Sequence, residues 1–234
     1  QVRLSDEDVE RERSIVVEEW RQGRGCAQRA TEDFFKLAVE GSLFEKRLPI
    51  GLMEVIKNVS PEVVRSFYAR HYHPERMAVV AVGDFADGGL DVVDLVRSVF
   101  EGCPRGGNGA PSPVGVPSHY DVRAAVFSDS EATSSSMVLE VKQPSLSVKI
   151  QEDYRREVAE DLFHACLNAR LSKTAMRDRP PFLTASSSTP ATVAALSTVQ
   201  LMVTSLDGGL PRAMKAVLTE VHRIKIHGFS DREV

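Results

Sequence analysis

The sequence predicts an α+β fold, because stretches with helical spacing alternate with short β-branched runs. With 234 residues and 42% hydrophobic content, the chain is long enough to form one large domain or two smaller ones. Residues 102–118 contain four prolines and five glycines, a composition typical of a linker. We therefore expect two folded parts, residues 1–103 and 119–234, joined by a Gly/Pro-rich linker over residues 104–118.

Charge and composition exclude several classes of partner. The net charge of −4 comes from mixed signs without a basic stripe, so nucleic acid is not expected as a partner. No apolar run is long enough to span a membrane. The three cysteines, Cys26, Cys103 and Cys166, include no C-x-x-C pair, which argues against a disulfide framework and against a zinc ribbon.

The first half is predicted to be mainly helical. Ser5 and Asp8 have the spacing of a capping box, and the helix that they begin should run to about Leu37, with an interruption at Gly23 and Gly25. Ser60 and Pro61 mark the start of another helix. Further along, a strand covered on both faces is expected at Met77–Val82 and an amphipathic helix at Leu90–Phe100.

The second half is predicted to pair strands with long helices. Alternating or continuous apolar runs indicate strands, and apolar residues three or four apart indicate helices. In chain order, the predicted elements are strands at Tyr120–Phe127 and Ser136–Lys142, a helix at Gln151–Arg177, strands at Phe182–Ser188 and Ala195–Ser205, and a helix at Gly208–Ile226. This order is typical of helices that cover one face of a largely antiparallel sheet.

Two carboxylates in the first helix attract attention. Glu12 and Glu19 are seven residues apart, so they lie about 20° apart around the helix axis, on one face with Ile15 and Val16. We expect both acids to point inward. A buried carboxylate needs a cation, a hydrogen-bond network or a metal ion. Periodicity leaves open whether they pair with arginines or cap a helix, or whether Glu19 binds a metal that Glu12 supports.

Two long segments resemble one protease family. The segment ERERSIVVEEW, followed by LPIGLMEVIKNVSPEVVRSFYARHYHPERMAVVAVGDF, resembles the region downstream of the H-x-x-E-H motif in the pitrilysin-like (M16, inverzincin) zinc metallopeptidases. The segment EDYRREVAEDLFHACLNARLSKTAMRDRPPFLTA resembles the second domain of the PqqL-like branch. The resemblance implies two consecutive domains of that fold, with mostly antiparallel sheets. Residues 1–103 would be part of the first, zinc-site domain and residues 119–234 part of the second, non-catalytic one.

The resemblance also implies roles for the two acids. Glu19 matches the distant glutamate that completes the Zn²⁺ site in the family, and Glu12 matches a further acid near that site. However, the sequence contains no H-x-x-E-H and no H-E-x-x-H, and none of its six histidines are spaced i, i+4. We therefore expect a fragment that lacks the motif, has no catalytic residues of its own and binds no stoichiometric zinc.

The implied function is zinc-dependent cleavage of peptides or unfolded polypeptides inside a chamber made of two clam-like halves. The missing half would be in the same chain or in a second subunit. The alternative is a non-catalytic homologue that serves as a scaffold or partner subunit, since fold does not fix function. Bacterial periplasm, plastid and mitochondrion all remain open as compartments.

Three residues of the second half are expected to be structural. His164 lies beside apolar neighbours on its helix and should be a core histidine with satisfied hydrogen bonds. Asn168 and Arg170 resemble family residues that brace the packing of the domain. We expect no catalytic role for any of them.

Overall fold

A computed structural model describes residues 2–85, 91–103 and 112–233. The chain divides into two compact units, which are described separately: Gln1–Arg24 with Arg47–Pro113, and Gly25–Lys46 with Val114–Val234. The described residues form seven α-helices and four strands, numbered in chain order. The helices are α1 (Asp6–Gln22), α2 (Cys26–Ala38), α3 (Met53–Asn58), α4 (Pro61–His71), α5 (Val92–Phe100), α6 (Gln151–Ala175) and α7 (Leu210–His227). The strands are β1 (Ser135–Pro144), β2 (Thr184–Ser188), β3 (Ala191–Val193) and β4 (Leu196–Ser205).

The sequence signals for helix ends are confirmed. Ser5 accepts a hydrogen bond from the N–H of Asp8 at 3.2 Å, and its hydroxyl donates to the Asp8 carboxylate at 2.7 Å. Ser60 caps α4 through the N–H of Val63. The expected interruption at Gly23 and Gly25 separates α1 from α2. Because these two helices belong to different compact units, the apolar stripe predicted to run through both is not continuous.

Arginine side chains connect the helices of the first unit. Arg13 of α1 donates to the backbone carbonyl of Ile56 and, at 2.6 Å, to that of Val59, so it binds the open end of α3. Arg65 of α4 donates to the carbonyl of Leu4 at 3.0 Å. None of the described residues in this unit is buried. Polar contacts rather than a hydrophobic core therefore hold these helices together.

The prediction of a covered strand at Met77–Val82 is wrong. In the described residues this run has no strand partner, and its side chains are exposed, with Val82 at 93%. A strand needs a neighbour to satisfy its backbone groups, and the first unit contains no other strand among its described residues. The helix predicted at Leu90–Phe100 is confirmed as α5, although Leu90 lies outside the described residues.

The second unit contains an antiparallel sheet. β4 is central: β1 pairs along one side of it, and β2 and β3 pair along the other. Leu201 of β4 faces Leu139 of β1 and Ser187 of β2 in register. The strand predicted at Tyr120–Phe127 is wrong for the described residues, because it pairs with nothing there and Tyr120, Val122 and Val126 are almost fully exposed.

The hydrophobic core of the second unit lies between β4 and the helices α6 and α7. Its buried members come from all three elements and from the segment before β2. They are Leu167, Leu171, Phe182, Val203, Ala213, Val217 and Ile224. Gly228 ends α7 with a φ of 68°, a left-handed conformation that glycine adopts without a steric penalty. The expected α+β fold class is confirmed, with helices packed against an antiparallel sheet.

The residues before β1 also contribute ion pairs to the second unit. Arg29 of α2 contacts the carboxylate of Asp129 at 2.5 Å and that of Glu131 at 2.9 Å. These contacts fix α2 to the segment that leads into β1. The proposed linker, residues 104–118, lies largely outside the described residues.

Candidate functional site

The two acids predicted to form the site lie on the exposed face of α1. The side chain of Glu12 is 61% exposed, and Glu19 and Ile15 are exposed as well. The prediction that both carboxylates point inward is therefore wrong for the described chain. Another stripe of α1 packs instead: it follows the i, i+4, i+7 spacing and consists of Val9, Arg13, Val16, Val17 and Trp20.

The two carboxylates differ in their partners. Glu12 lies 3.7 Å from Arg11, which is an exposed and therefore weak ion pair. Among the described residues, the carboxylate of Glu19 makes no hydrogen bond or ion pair. Two helical turns separate the acids, so α1 presents them on one face with Ile15 between them. An unpaired carboxylate oxygen on a regular helix can serve as one ligand of a zinc ion.

The described part of the chain does not complete a metal site. It contains no group of three or more His, Cys, Asp or Glu side chains that could hold a metal ion. His71 packs its ring against Phe67 at a centroid distance of 4.5 Å, and Nε2 of His73 lies 3.0 Å from the carbonyl oxygen of Arg70. Glu19 could therefore supply one ligand, and further ligands would have to come from elsewhere.

A second polar cluster, which the sequence did not predict as a unit, joins α6 to β2. His164 lies between two hydroxyls, with Nδ1 2.8 Å from the Oγ of Ser187 and Nε2 2.8 Å from the Oγ1 of Thr189. Asn168, one turn further along α6, forms two hydrogen bonds with the backbone of Ser187. The i, i+4 spacing of His164 and Asn168 indicated a shared helix face, but no local pattern identified the strand that they contact.

This second cluster does not have the geometry of a catalytic serine site. Ser187 is only 3% exposed, and both ring nitrogens of His164 are already engaged by hydroxyls. Burial lowers the pKa of His164, which favours the neutral ring that such a bridge accommodates. The expectation of a satisfied core histidine is thus confirmed.

Arg170 holds the end of the described chain against α6. Its guanidinium forms two hydrogen bonds with the Glu233 carboxylate, at 2.6 and 2.8 Å, and another with Glu220 of α7 at 3.3 Å. It also donates to the carbonyl of Gly228. The hydrogen bonds from Arg170, followed by those from Ser230, hold the pKa of Glu233 well below its usual range.

A comparison with protein-family models decides the family. Residues 58–234 match the model described as the Peptidase M16 inactive domain. The chain belongs to the M16 peptidase family. This match covers α4, α5 and every described element from β1 to α7, so it agrees with the resemblance that the sequence carries.

Relatives of the M16 family that resemble the chain are several times longer than it is. The chain is 37% identical to a protein of Arabidopsis thaliana named "Zinc protease PQQL-like", a match that covers all of the chain but 22% of the relative. It is 22% identical to the "Probable zinc protease PqqL" of Escherichia coli, where it covers 24% of the relative. The chain thus spans about a quarter of the length of these M16 relatives.

Solved structures confirm the fold. The first half of the periplasmic protease PqqL from Escherichia coli superposes with a TM-score of 0.82 at 21% identity, over 99% of the chain and 49% of that structure. At this level of identity the likeness concerns the M16 fold alone. No helix in the described ranges combines the length and the apolar character needed to cross a membrane.

Proposed function

We propose that the chain is part of a zinc-dependent endopeptidase that cleaves peptides or unfolded polypeptides, and that it is inactive without the segment carrying H-x-x-E-H. The observation that carries the proposal is the exposed face of α1, where Glu19 presents an unpaired carboxylate and Glu12 lies two turns away. Membership of a family whose relatives are named zinc proteases supports it.

Glu19 would bind the zinc ion, and Glu12 would support the site from the preceding turns of the same helix. When zinc is bound, a metal of this kind polarises a carbonyl and lowers the pKa of a water ligand. The contribution of this chain is positional. Arg13 fixes α1 to α3 through the carbonyls of Ile56 and Val59, so the face that presents Glu19 has a defined orientation within its unit.

The substrate and the remaining polypeptide are also part of the proposal. One solved structure that the chain resembles, with a TM-score of 0.71 and 22% identity, is titled as a ferredoxin protease, FusC, in complex with Arabidopsis ferredoxin. We propose a polypeptide substrate for the present protein as well. The rest of the two-half chamber would come from the same chain or from a second subunit.

A specific observation favours a second candidate, a non-catalytic scaffold or partner subunit. The matching family model describes an inactive domain, and the described residues lack a three-residue metal cluster. The full-length protein distinguishes the two candidates. A scaffold would retain no zinc, whereas a peptidase would bind one zinc ion per zinc-site domain and would lose activity with a chelator.

The decisive experiment substitutes Glu19→Gln in the full-length protein and measures zinc content together with peptidase activity. We expect loss of zinc retention and activity with an unchanged circular dichroism spectrum, because the Glu19 side chain makes no stabilising contact in the described chain. Glu12→Gln should weaken zinc binding by about 10- to 100-fold, as supporting groups do. Glu18→Gln, at an exposed position on another face of α1, is the matched control and should leave zinc in place. Retention of zinc and activity by Glu19→Gln would refute the assignment.

The isolated 234-residue chain gives a related prediction. We expect it to bind no stoichiometric zinc and to show no peptidase activity, because Glu19 would be a single ligand. Elemental analysis of the purified chain that found one tightly bound zinc ion would contradict this expectation.

A further inference from the structure

The outer edge of β2 is engaged by a side chain rather than by another strand. β2 pairs with β4 along one side, from Thr184↔Thr204 to Ser188↔Gln200. On its other side, the N–H of Ser187 donates to the Oδ1 of Asn168 at 2.7 Å. The Nδ2 of Asn168 donates in turn to the carbonyl of Ser187 at 2.9 Å. Because both backbone groups of one residue in an antiparallel strand point to the same side, those of Ser187 point away from β4.

The two bonds copy the pairing of a neighbouring strand. A residue in a ladder offers one N–H and one C=O to the residue opposite, and the amide of Asn168 offers the same donor and acceptor to Ser187. The edge would otherwise present unpaired backbone groups, which accept extended polypeptides by strand addition. Asn168 therefore occupies the position that the backbone of an added strand would need.

The position of Asn168 is fixed by its neighbours on α6. Leu167 and Leu171 anchor the helix in the hydrophobic core. His164, one turn earlier, bonds the hydroxyls of Ser187 and Thr189 at 2.8 Å each, so α6 follows β2 beyond the residue that Asn168 contacts. The amide is thus held in place by packing on one side and by a second pair of hydrogen bonds on the other.

We propose that Asn168 closes the β2 edge against pairing with an extended polypeptide. The opposite outer strand, β1, carries no equivalent: none of its backbone groups bonds a side chain among the described residues, and Met137, Leu139 and Val141 are exposed. The functional meaning of the closure rests on the proposed function, because a protein that handles extended peptides would lose them to an unproductive edge. The closure itself is independent of zinc and of peptidase activity.

The test measures amide hydrogen exchange at Ser187 in the full chain, with the capped hexapeptide acetyl-Thr-Val-Thr-Val-Thr-Val-amide as a strand probe. In Asn168→Ala, we expect the Ser187 amide to exchange at least about tenfold faster than in the unsubstituted chain. Adding the hexapeptide should slow that exchange in Asn168→Ala and leave the unsubstituted chain unchanged. Asn58→Ala is the matched control, because the Asn58 side chain also bonds a backbone carbonyl, that of Glu54, but lies in α3.

Two results would overturn the inference. One is a folded Asn168→Ala variant whose Ser187 amide exchanges as slowly as before, and the other is equal protection by the hexapeptide with and without Asn168. If Asn168→Ala fails to fold, Asn168→Asp keeps the acceptor for the Ser187 N–H and removes the donor. It should retain slow exchange at Ser187 without responding to the hexapeptide. Fast exchange at Ser187 in a folded Asn168→Asp variant would also refute the closure.

Discussion

His164 is a half-buried base held between two hydroxyl groups, so its protonation affects the stability of the second unit. A neutral ring donates through one nitrogen and accepts through the other, which suits the hydroxyls of Ser187 and Thr189. Burial lowers the pKa of His164 from its ordinary value of 6.5. As the pH falls below 6.5, the unfolded chain therefore takes up a proton at this position before the folded chain does.

The sign of the pH dependence follows from that order. The contribution of His164 to stability is present above pH 6.5 and is lost as the pH falls through the lowered pKa of the folded state. Between about pH 7.5 and about pH 5.5, we expect His164→Gln to remove a pH-dependent loss of stability of below about 1 kcal/mol. Urea unfolding followed by circular dichroism at both pH values measures it, with exposed His227→Gln as the control. An unchanged pH dependence in His164→Gln would contradict the assignment.

At the residue scale, the sequence identified helix caps but not which helix face packs. Ser5 and Ser60 were predictable because a cap depends on residues three positions away. The orientation of Glu12 and Glu19 was not, because Ile15 and Val16 made their face resemble a buried one. The packed face of α1 contains Arg13, whose role depends on carbonyls more than forty residues away. Neither a helical wheel nor a propensity scale contains that contact.

At the scale of elements, the segment after α7 is held by one arginine. Arg170 binds the Glu233 carboxylate through two nitrogens and lies over the ring of Phe229 at 5.0 Å. In addition, the thiol of Cys166 is 3.0 Å from the carbonyl oxygen of Glu233. All these contacts come from α6, so the segment depends on a helix nearly sixty residues earlier in the chain.

Substituting Arg170→Met should therefore release residues 229–233 while leaving α6 and α7 folded. We expect their amides to exchange at least about tenfold faster, because the bidentate ion pair and the bond to Gly228 are both lost. Arg223→Met is the matched control: Arg223 also pairs with Glu220, but its side chain is 57% exposed, whereas that of Arg170 is 17% exposed. Mass-spectrometric hydrogen exchange resolves the segment. Equal effects of the two substitutions would show that Arg170 has no special role there.

Strands were harder to predict than helices for a physical reason. The strands predicted at Ser136–Lys142 and Ala195–Ser205 are confirmed as β1 and β4, which find each other across sixty residues. The runs at Met77–Val82 and Tyr120–Phe127 have comparable β-branched or apolar patterns, yet they pair with nothing in the described residues. A sequence pattern reports the tendency to form a strand, but a strand exists only where a partner satisfies its backbone.

At the scale of the whole molecule, the two units differ in how they are stabilised. The second unit has a core of seven buried residues, whereas the described residues of the first unit include none that is buried. The first unit also exposes apolar side chains of α4, of α5 and of the unpaired run, such as Phe67, Val99 and Val82. The chain spans about a quarter of the length of its M16 relatives, which is consistent with a unit whose apolar faces are covered by polypeptide from elsewhere.

This difference predicts a two-level pattern of hydrogen exchange in the isolated 234-residue chain. Amides of α6, α7 and β4 should exchange through global unfolding of the second unit, because their side chains form its core. Amides of α1 and α4 should exchange by local opening with a free energy near zero, since polar contacts alone hold those helices among the described residues. In the full-length protein, the amides of α1 and α4 should become protected, while those of the second unit should change less. If α1 in the isolated chain is protected as strongly as β4, the first unit has a source of stability other than covering polypeptide, and its proposed dependence on the rest of the protein is wrong.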